Sequence, residues 1–323
     1  MAADVQIPLE TAEVALRALA MVAASDGEVD PREHRFIAAA AKALGCMAGP
    51  YEPIDDDEVA DRIGDPLWRE RLVQAAELLA VMDGRVDEAE IERIARLSRA
   101  LGVHDVRLDN LRQIRRRHLR MLQLDLLRRS PMGTYMEQVW QRGGAWELFR
   151  YLVQPQGYGV DPDEAWRYKQ LGLLPEGTLG REYWAHMTVR KFPFPGEQAG
   201  FPTELVRHDL VHVLAGHDTD VRGECENAAY IAGFLKDDPF SYLFMVAVHT
   251  HLDIEVFPND PSQAALAFDP SICIPALQRG LRATRDLYSL DWDYWEDMSR
   301  PIADVRADYG VEVAPEGSGG GVT

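Results

Sequence analysis

The chain has 323 residues, of which 34 are basic and 53 acidic, giving a formal charge of −19. This length supports more than one hydrophobic core, and the charge excludes nucleic acid as a main partner, because phosphate binding needs a basic footprint. Three widely spaced cysteines, Cys46, Cys225 and Cys273, form no CxxC pair and read as reduced thiols of a cytoplasmic protein. The first ten residues, MAADVQIPLE, carry no signal-peptide pattern. No apolar run approaches the ~20 residues that span a bilayer, so any membrane contact is expected to be peripheral, at the inner face. Apolar residues recur at helical spacing and repeated strand-like alternation is missing, which predicts an all-α fold.

The first third contains a repeat. Residues 25–45 read SDGEVDPREHRFIAAAAKALG and residues 82–102 read MDGRVDEAEIERIARLSRALG, an offset of 57 residues. Each copy follows an apolar helix, so each predicts a helix, a tight Asp-Gly turn and a second helix ending at glycine. Asp30 stands as N-cap, with Pro31 at the first helical position and Glu33 at N3; Asp87 and Glu90 repeat the capping box. The four aspartates Asp26, Asp30, Asp83 and Asp87 have two readings: turns and caps, or a weak second cation site. The spacing of an EF-hand calcium loop is missing. This part, about residues 8–125, resembles the TerB-like tellurite-resistance family, with its paired DGxVDxxE hairpins. The resemblance implies an all-helical bundle linked to stress response, metal binding and membrane-associated complexes. It places that family's proposed acidic metal site on the same four aspartates.

Next come Arg112, Arg115, Arg116, Arg117, Arg120, Arg128 and Arg129 among leucines. This is either a basic amphipathic helix for anionic lipid or a solvated connecting helix with its apolar stripe on a domain. Ser130-Pro131-Met132-Gly133 and Gly143-Gly144 place a linker at 131–145. The expected organisation is a helical domain over 1–130, the linker, a second helical domain over 146–312, and a disordered tail over 313–323.

The second domain carries the chemistry. His208-Asp209-Leu210-Val211-His212 is followed after eleven residues by Glu224. Imidazoles four apart share one helix face and can converge on one ion. Phe201–Ala215 is the predicted motif helix, stopped by Gly216, and Gly223 permits a close turn that brings Glu224 forward. Three patterns compete. A variant of the zincin HExxH would put Asp209 as general base, but aspartate is short for that reach. An HD-type hydrolase would use His186, His208, Asp209 and Asp253, leaving His212 and Glu224 unexplained. The third pattern is HDxxH followed by glutamate, a site of two imidazoles and up to two carboxylates.

That third pattern resembles the signature of the ubiquinone (coenzyme Q) biosynthesis family Coq-four. The similarity extends to Leu174-Pro175-Glu176-Gly177-Thr178-Leu179-Gly180-Arg181-Glu182-Tyr183, against that family's LPxxTLGxxY segment. It also covers Arg279-Gly280, Asp291-Trp292, Trp295, Arg306 and Tyr309-Gly310-Val311, over about residues 146–312. The resemblance implies an all-helical, often dimeric fold, peripheral to membranes, with a divalent metal beside a prenyl-lipid channel. It implies His208, Asp209, His212 and Glu224 as metal ligands. It also implies oxidative decarboxylation of a prenylated hydroxybenzoate, leaving a hydroxyl on the ring, within a biosynthetic complex. The TerB-like unit and the segment His249-Thr250-His251-Leu252-Asp253-Ile254-Glu255 depart from the family pattern and open the choice of acid.

The expected function is metal-dependent oxidative decarboxylation or hydroxylation of a prenylated or otherwise apolar aromatic acid. The alternatives are a non-enzymatic lipid-binding scaffold with a structural metal, and the HD-type hydrolase. Zinc is the metal expected on isolation, and iron, manganese and cobalt also suit the donors. Arg181 reads either as a contact to a substrate carboxylate or as a partner of a glutamate on its own helix. His217, Asp218 and Asp220 read either as partners of the ligands or as ordinary loop residues. Trp184, Phe192, Phe194, Trp292, Tyr294 and Trp295 read as core rather than as the lining of a lipid channel.

Overall fold

The computed structural model describes residues 7–129, 160–198, 203–235, 239–252, 268–289 and 291–315, with isolated positions between them. Its regular structure is helical. The N-terminal third holds α1 (Leu9–Ala23), α2 (Pro31–Ala43), α3 (Asp56–Arg62), α4 (Pro66–Leu79), α5 (Glu88–Leu101), α6 (Arg107–Arg115) and α7 (Leu119–Arg129). Further along the chain follow α8 (Pro162–Gln170), α9 (Leu179–Arg190), α10 (Val206–Ala215), α11 (Val221–Phe234), α12 (Pro239–His251), α13 (Pro270–Arg282) and α14 (Ile302–Tyr309). No described helix is long and apolar enough to cross a membrane. All three cysteines are unbonded.

The repeat folds as its local chemistry dictates. The Asp30 carboxylate accepts from the Arg32 N–H at 2.8 Å, and the Glu33 carboxylate accepts from the Asp30 N–H at 2.8 Å. The second copy matches it through Asp87 with Ala89 and Glu90 with Asp87. Each cap contributes about 1 kcal/mol to its helix. The turns need Gly27 at φ 98° and Gly84 at φ 84°, a region other residues enter only with strain.

Between the two hairpins the structure joins what the sequence separates. Glu33 and Glu90 are both buried and act on each other's ionisation. Burial is the main cause of their raised pKa values, about 7 for Glu33 and about 9 for Glu90, and it outweighs the backbone N–H groups that favour their charge. In the unfolded chain both titrate near 4.5. The folded protein therefore binds protons that the unfolded chain has released. Its stability is expected to rise as pH falls from about 9 towards 5, and to be lost as pH rises through 7 to 9. Glu90→Gln should flatten this dependence and raise the melting temperature at pH 8 by a few degrees, about 3 °C. A thermal melt series that stays flat between pH 5 and 9 in the parent protein would show the pair to be ionised in both states.

The basic stretch is not one helix. It breaks at Arg117, which sits at φ 55°, so α6 and α7 are separate elements. Leu122 and Leu126 of α7 are buried, whereas Leu119, Met121 and Leu124 are exposed. Of the predicted linker 131–145 only five positions are described, and those are helical. The tail beyond 315 lies outside the described residues; residues 313–315 are ordered against the C-terminal half, where the Ala314 N–H donates to the Ala215 carbonyl at 2.8 Å.

The apolar interior is continuous from α1 to α14. α2 lies along α13, where the Gln278 amide donates to the Ala43 carbonyl at 2.9 Å. α12 packs on α4 and α7. Buried Arg107 donates to the Ser241 hydroxyl at 2.9 Å and pairs with Glu77 and Asp105. The buried His251 ring touches the Met82 carbonyl at 2.9 Å and the Phe268 carbonyl at 3.0 Å, tying α12 to the second Asp-Gly turn. The two halves thus meet through buried polar contacts as well as apolar surface.

Candidate metal centre

α10 and α11 build the site. A short 3-10 turn, Thr203–Leu205, leads into α10, so the motif helix proper starts at Val206, later than its pattern predicts; Phe201 lies outside the described residues. Leu210, Val211, Leu214 and Ala215 are buried. Gly216 ends the helix at φ 74°. Asp220 then caps α11 by accepting from the Gly223 N–H at 2.7 Å. A Cβ on Gly223 would lie 2.1 Å from the Asp218 carbonyl, so only glycine permits the tight return that carries Glu224 back to α10.

The two imidazoles meet at 4.8 Å between ring centres. His208 Nε2 and His212 Nε2 each stand 3.4 Å from the same Glu224 oxygen, Oε2. Ligand atoms of these three residues all lie within 4.8 Å of one another, the one such His/Cys/Asp/Glu group among the described residues. Both nitrogens of buried His212 lack any hydrogen-bond partner. Two imidazole nitrogens and a carboxylate oxygen converging in this way fit a divalent ion, and an ion would satisfy the orphaned His212 nitrogen. His208 and Glu224 are partly exposed while His212 is buried, so the group is reached from one side.

The charges fit the same reading. Burial alone would strip His208 of its proton, but Asp209 and Glu224 overturn that and lift it to about 10. Burial likewise opposes the Glu224 charge, and His212 and His208 outweigh it, holding the carboxyl well below its usual range. The site therefore favours a compensating positive charge, either a proton or a cation.

Asp209 falls outside the three-residue set. Its carboxylate lies beside His208 Nδ1, at 3.4 Å, on the far side of the ring from Glu224. That is the position of a carboxylate that orients a ligating histidine. His186 is near the site, its ring 6.0 Å from that of His212, but it does not belong to the set. Asp253 lies outside the described residues, so the HD-type arrangement is not assembled by the residues that are described. Arg181 is engaged elsewhere: it donates to the Gly172 carbonyl and stacks 4.5 Å over the Trp184 ring, with no glutamate of its helix as partner. The aspartates Asp26, Asp30, Asp83 and Asp87 accept from backbone N–H groups of their own turns and form no such three-ligand cluster.

His217 is locked behind the site. Its Nδ1 stands 3.0 Å from the Asn227 side-chain oxygen and its Nε2 3.2 Å from Arg279 Nη2. An amide oxygen and a guanidinium together require Nδ1–H and a bare Nε2, a neutral ring. Burial, the main cause, agrees and lowers its pKa to about 3. Arg279 also pairs with buried Glu226 at 2.7 Å. Asp218 pairs with Arg190 at 3.0 Å. The loop residues therefore brace the ligand-bearing helices.

The separated C-terminal segments converge on α10. Arg306 donates to the Leu214 and Val213 carbonyls at 2.8 and 3.1 Å, closing the end of the ligand helix. Asp297 accepts from the Trp292 indole at 2.8 Å and the Tyr309 hydroxyl at 2.7 Å. The Leu179 and Gly180 N–H groups donate to the Arg300 and Met298 carbonyls, fastening α9 to the same support. Trp292, Tyr294 and Phe194 are buried and Trp184 and Trp295 pack on the core, as expected, whereas Phe192 is 40% exposed. Compared with known proteins, the chain matches no protein-family model and no curated protein.

Proposed function

We propose that this protein is a metal-dependent enzyme acting on an apolar aromatic acid, with oxidative decarboxylation or hydroxylation as its reaction. The convergence of His208, His212 and Glu224, with orphaned nitrogens on buried His212, carries the reading. Three protein donors on one side leave positions for other ligands, the arrangement of catalytic rather than closed structural sites. The substrate class rests on the similarity of the HDxxH…E, LPxxTLGxxY and Arg-Gly…Trp segments to the Coq-four family. A prenylated hydroxybenzoate is the leading candidate, and a homodimer associated with partner proteins or a membrane surface is the expected context.

When bound, a divalent metal supplies Lewis acidity toward a carboxylate or phenolate oxygen. The protein's part is to present Nε2 of both histidines and one Glu224 oxygen, to orient His208 through Asp209, and to brace α11 through Arg279, Glu226 and His217.

Metal uptake must displace the proton that Asp209 and Glu224 favour on His208. Zinc or cobalt binding at pH 8 is therefore expected to release about one proton. Calorimetry in two buffers of different ionisation enthalpy measures it, and a binding heat independent of buffer would contradict the assigned ligands. For the reaction, the metal-loaded protein is incubated aerobically with a prenylated 4-hydroxybenzoate labelled in the carboxyl carbon. Release of labelled carbon dioxide with formation of the ring-hydroxylated product is expected, one O2 being reduced to hydrogen peroxide for each carboxyl lost. A loaded protein that neither releases it nor gains thermal stability from the compound would refute the substrate class.

A further inference from the structure

The inner face of α9 carries two polar groups that nothing in the fold satisfies. Tyr183 and His186 are three residues apart and so share that face, with Leu179, Gly180 and Met187 buried alongside them. The Tyr183 side chain is fully enclosed, and its hydroxyl has no hydrogen-bond partner. His186 is 8% exposed, and its Nε2 is likewise unpartnered. Each such group costs roughly 1–3 kcal/mol, and two of them on one helix face that borders a candidate metal centre are groups a bound molecule could satisfy.

His186 borders the metal centre, and Tyr183 shares its helix face. α9 packs against α10. The His186 ring stands 6.0 Å from His212, and the charges of Asp209 and Glu224 reach it. Tyr183 lies one helical turn before His186 on the same buried face of α9. Arg181, two residues from Tyr183, points about 200° around the helix and is held by Gly172 and Trp184, so it leaves this face free. The Tyr183 ring lies 6.0 Å from that of Tyr168, whose hydroxyl is bonded to the Tyr294 hydroxyl at 2.7 Å. A phenol hydroxyl and an imidazole can each donate a hydrogen bond to an oxygen. A carboxylate or phenolate oxygen bound beside His212 would lie next to His186, the more open of the two.

We propose that Tyr183 and His186 hold an oxygen of the aromatic acid at this centre and so fix its orientation. The inference rests on the function proposed above and adds the residues that select the ligand's oxyanion. Neither residue is a metal ligand: both are binding residues for the organic molecule.

The test uses the full-length protein loaded with cobalt(II) and titrated with 4-hydroxybenzoate, following the visible bands of cobalt. A saturable band shift is expected. His186→Phe and Tyr183→Phe should each raise the Kd for 4-hydroxybenzoate about tenfold, the loss of one hydrogen bond, while the Kd for cobalt stays unchanged. His186→Gln keeps a donor and an acceptor and should retain most of the affinity. Tyr183→Phe removes a single oxygen, so it decides the matter even where His186→Phe fails to fold. An unchanged Kd for 4-hydroxybenzoate in both variants, or no band shift in the parent protein, overturns the inference and leaves the metal centre standing. A cobalt affinity that falls in His186→Phe also overturns it, because His186 would then be a ligand. Failure of the parent protein to take up cobalt removes the metal centre itself, and the inference with it.

Discussion

His212→Ala is expected to abolish stable metal binding while leaving the fold in place. A structural zinc site is worth about 10–16 kcal/mol across its donors. Shared over three protein donors, one contributes roughly 4 kcal/mol at most, up to about three orders of magnitude in Kd. His212 is the donor to remove because it is the buried one, with no other partner for either nitrogen. Its loss also leaves His208 and Glu224 facing each other at 3.4 Å, where a proton on His208 satisfies the pair without an ion. Elemental analysis after dialysis gives the metal content, and far-UV circular dichroism reports the fold. Asp209→Asn makes the contrast. With Asp209 on the Nδ1 side of His208, its substitution should weaken the metal only about tenfold. Equal metal content in His212→Ala and the parent would reject the site. A loss in Asp209→Asn as deep as that in His212→Ala would make Asp209 a direct ligand.

Gly280→Ala is expected to be the most damaging single methyl in the described fold. α11 and α13 cross backbone to backbone: a Cβ on Gly280 would lie 2.0 Å from the Tyr230 carbonyl and 3.1 Å from Gly233 Cα. One on Gly233 would lie 2.5 Å from the Leu277 carbonyl. The obstacle is main chain, which has no rotamer to change, so the helices must separate. Overpacking of this kind costs about 3 kcal/mol or more, or on the order of 10 °C in melting temperature. The consequence reaches the metal centre. Arg279 rides on the displaced helix and holds Glu226 and His217 of the ligand-bearing segment. Metal affinity should therefore drop in whatever protein remains folded. Gly49→Ala, with nothing within 4 Å of its added carbon, is the control and should melt within about a degree of the parent. Equal melting of the two variants would show that the helices accommodate the methyl.

The sequence by itself determined the features whose partners are two to four residues apart. The Asp30 and Asp87 capping boxes, the Asp-Gly turns and the helical character follow from local bonds that form wherever those residues occur in that order. The shared face of His208 and His212 follows from helix geometry, and Glu224 was reachable because one glycine-bracketed loop returns it. Asp209 was not assignable this way. A residue one position on from a ligand points about 100° around the helix, and only the packed ring of His208 shows which nitrogen it meets. Arg181 faced the same ambiguity, settled by a carbonyl nine residues back and by Trp184. The break of the basic segment at Arg117 had no glycine or proline to announce it.

Only the tertiary structure joined Glu33 to Glu90, Gly280 to Tyr230, and His186 to His212. In the sequence each of these has a sufficient local role, as a cap position, a helix residue or part of a motif. Their chemistry depends on which residue the fold sets against them across fifty or more intervening positions, or across a helix interface. That choice belongs to the closing of the chain around one continuous core, where burial raises a carboxyl pKa, forbids a methyl or leaves a hydroxyl unpartnered.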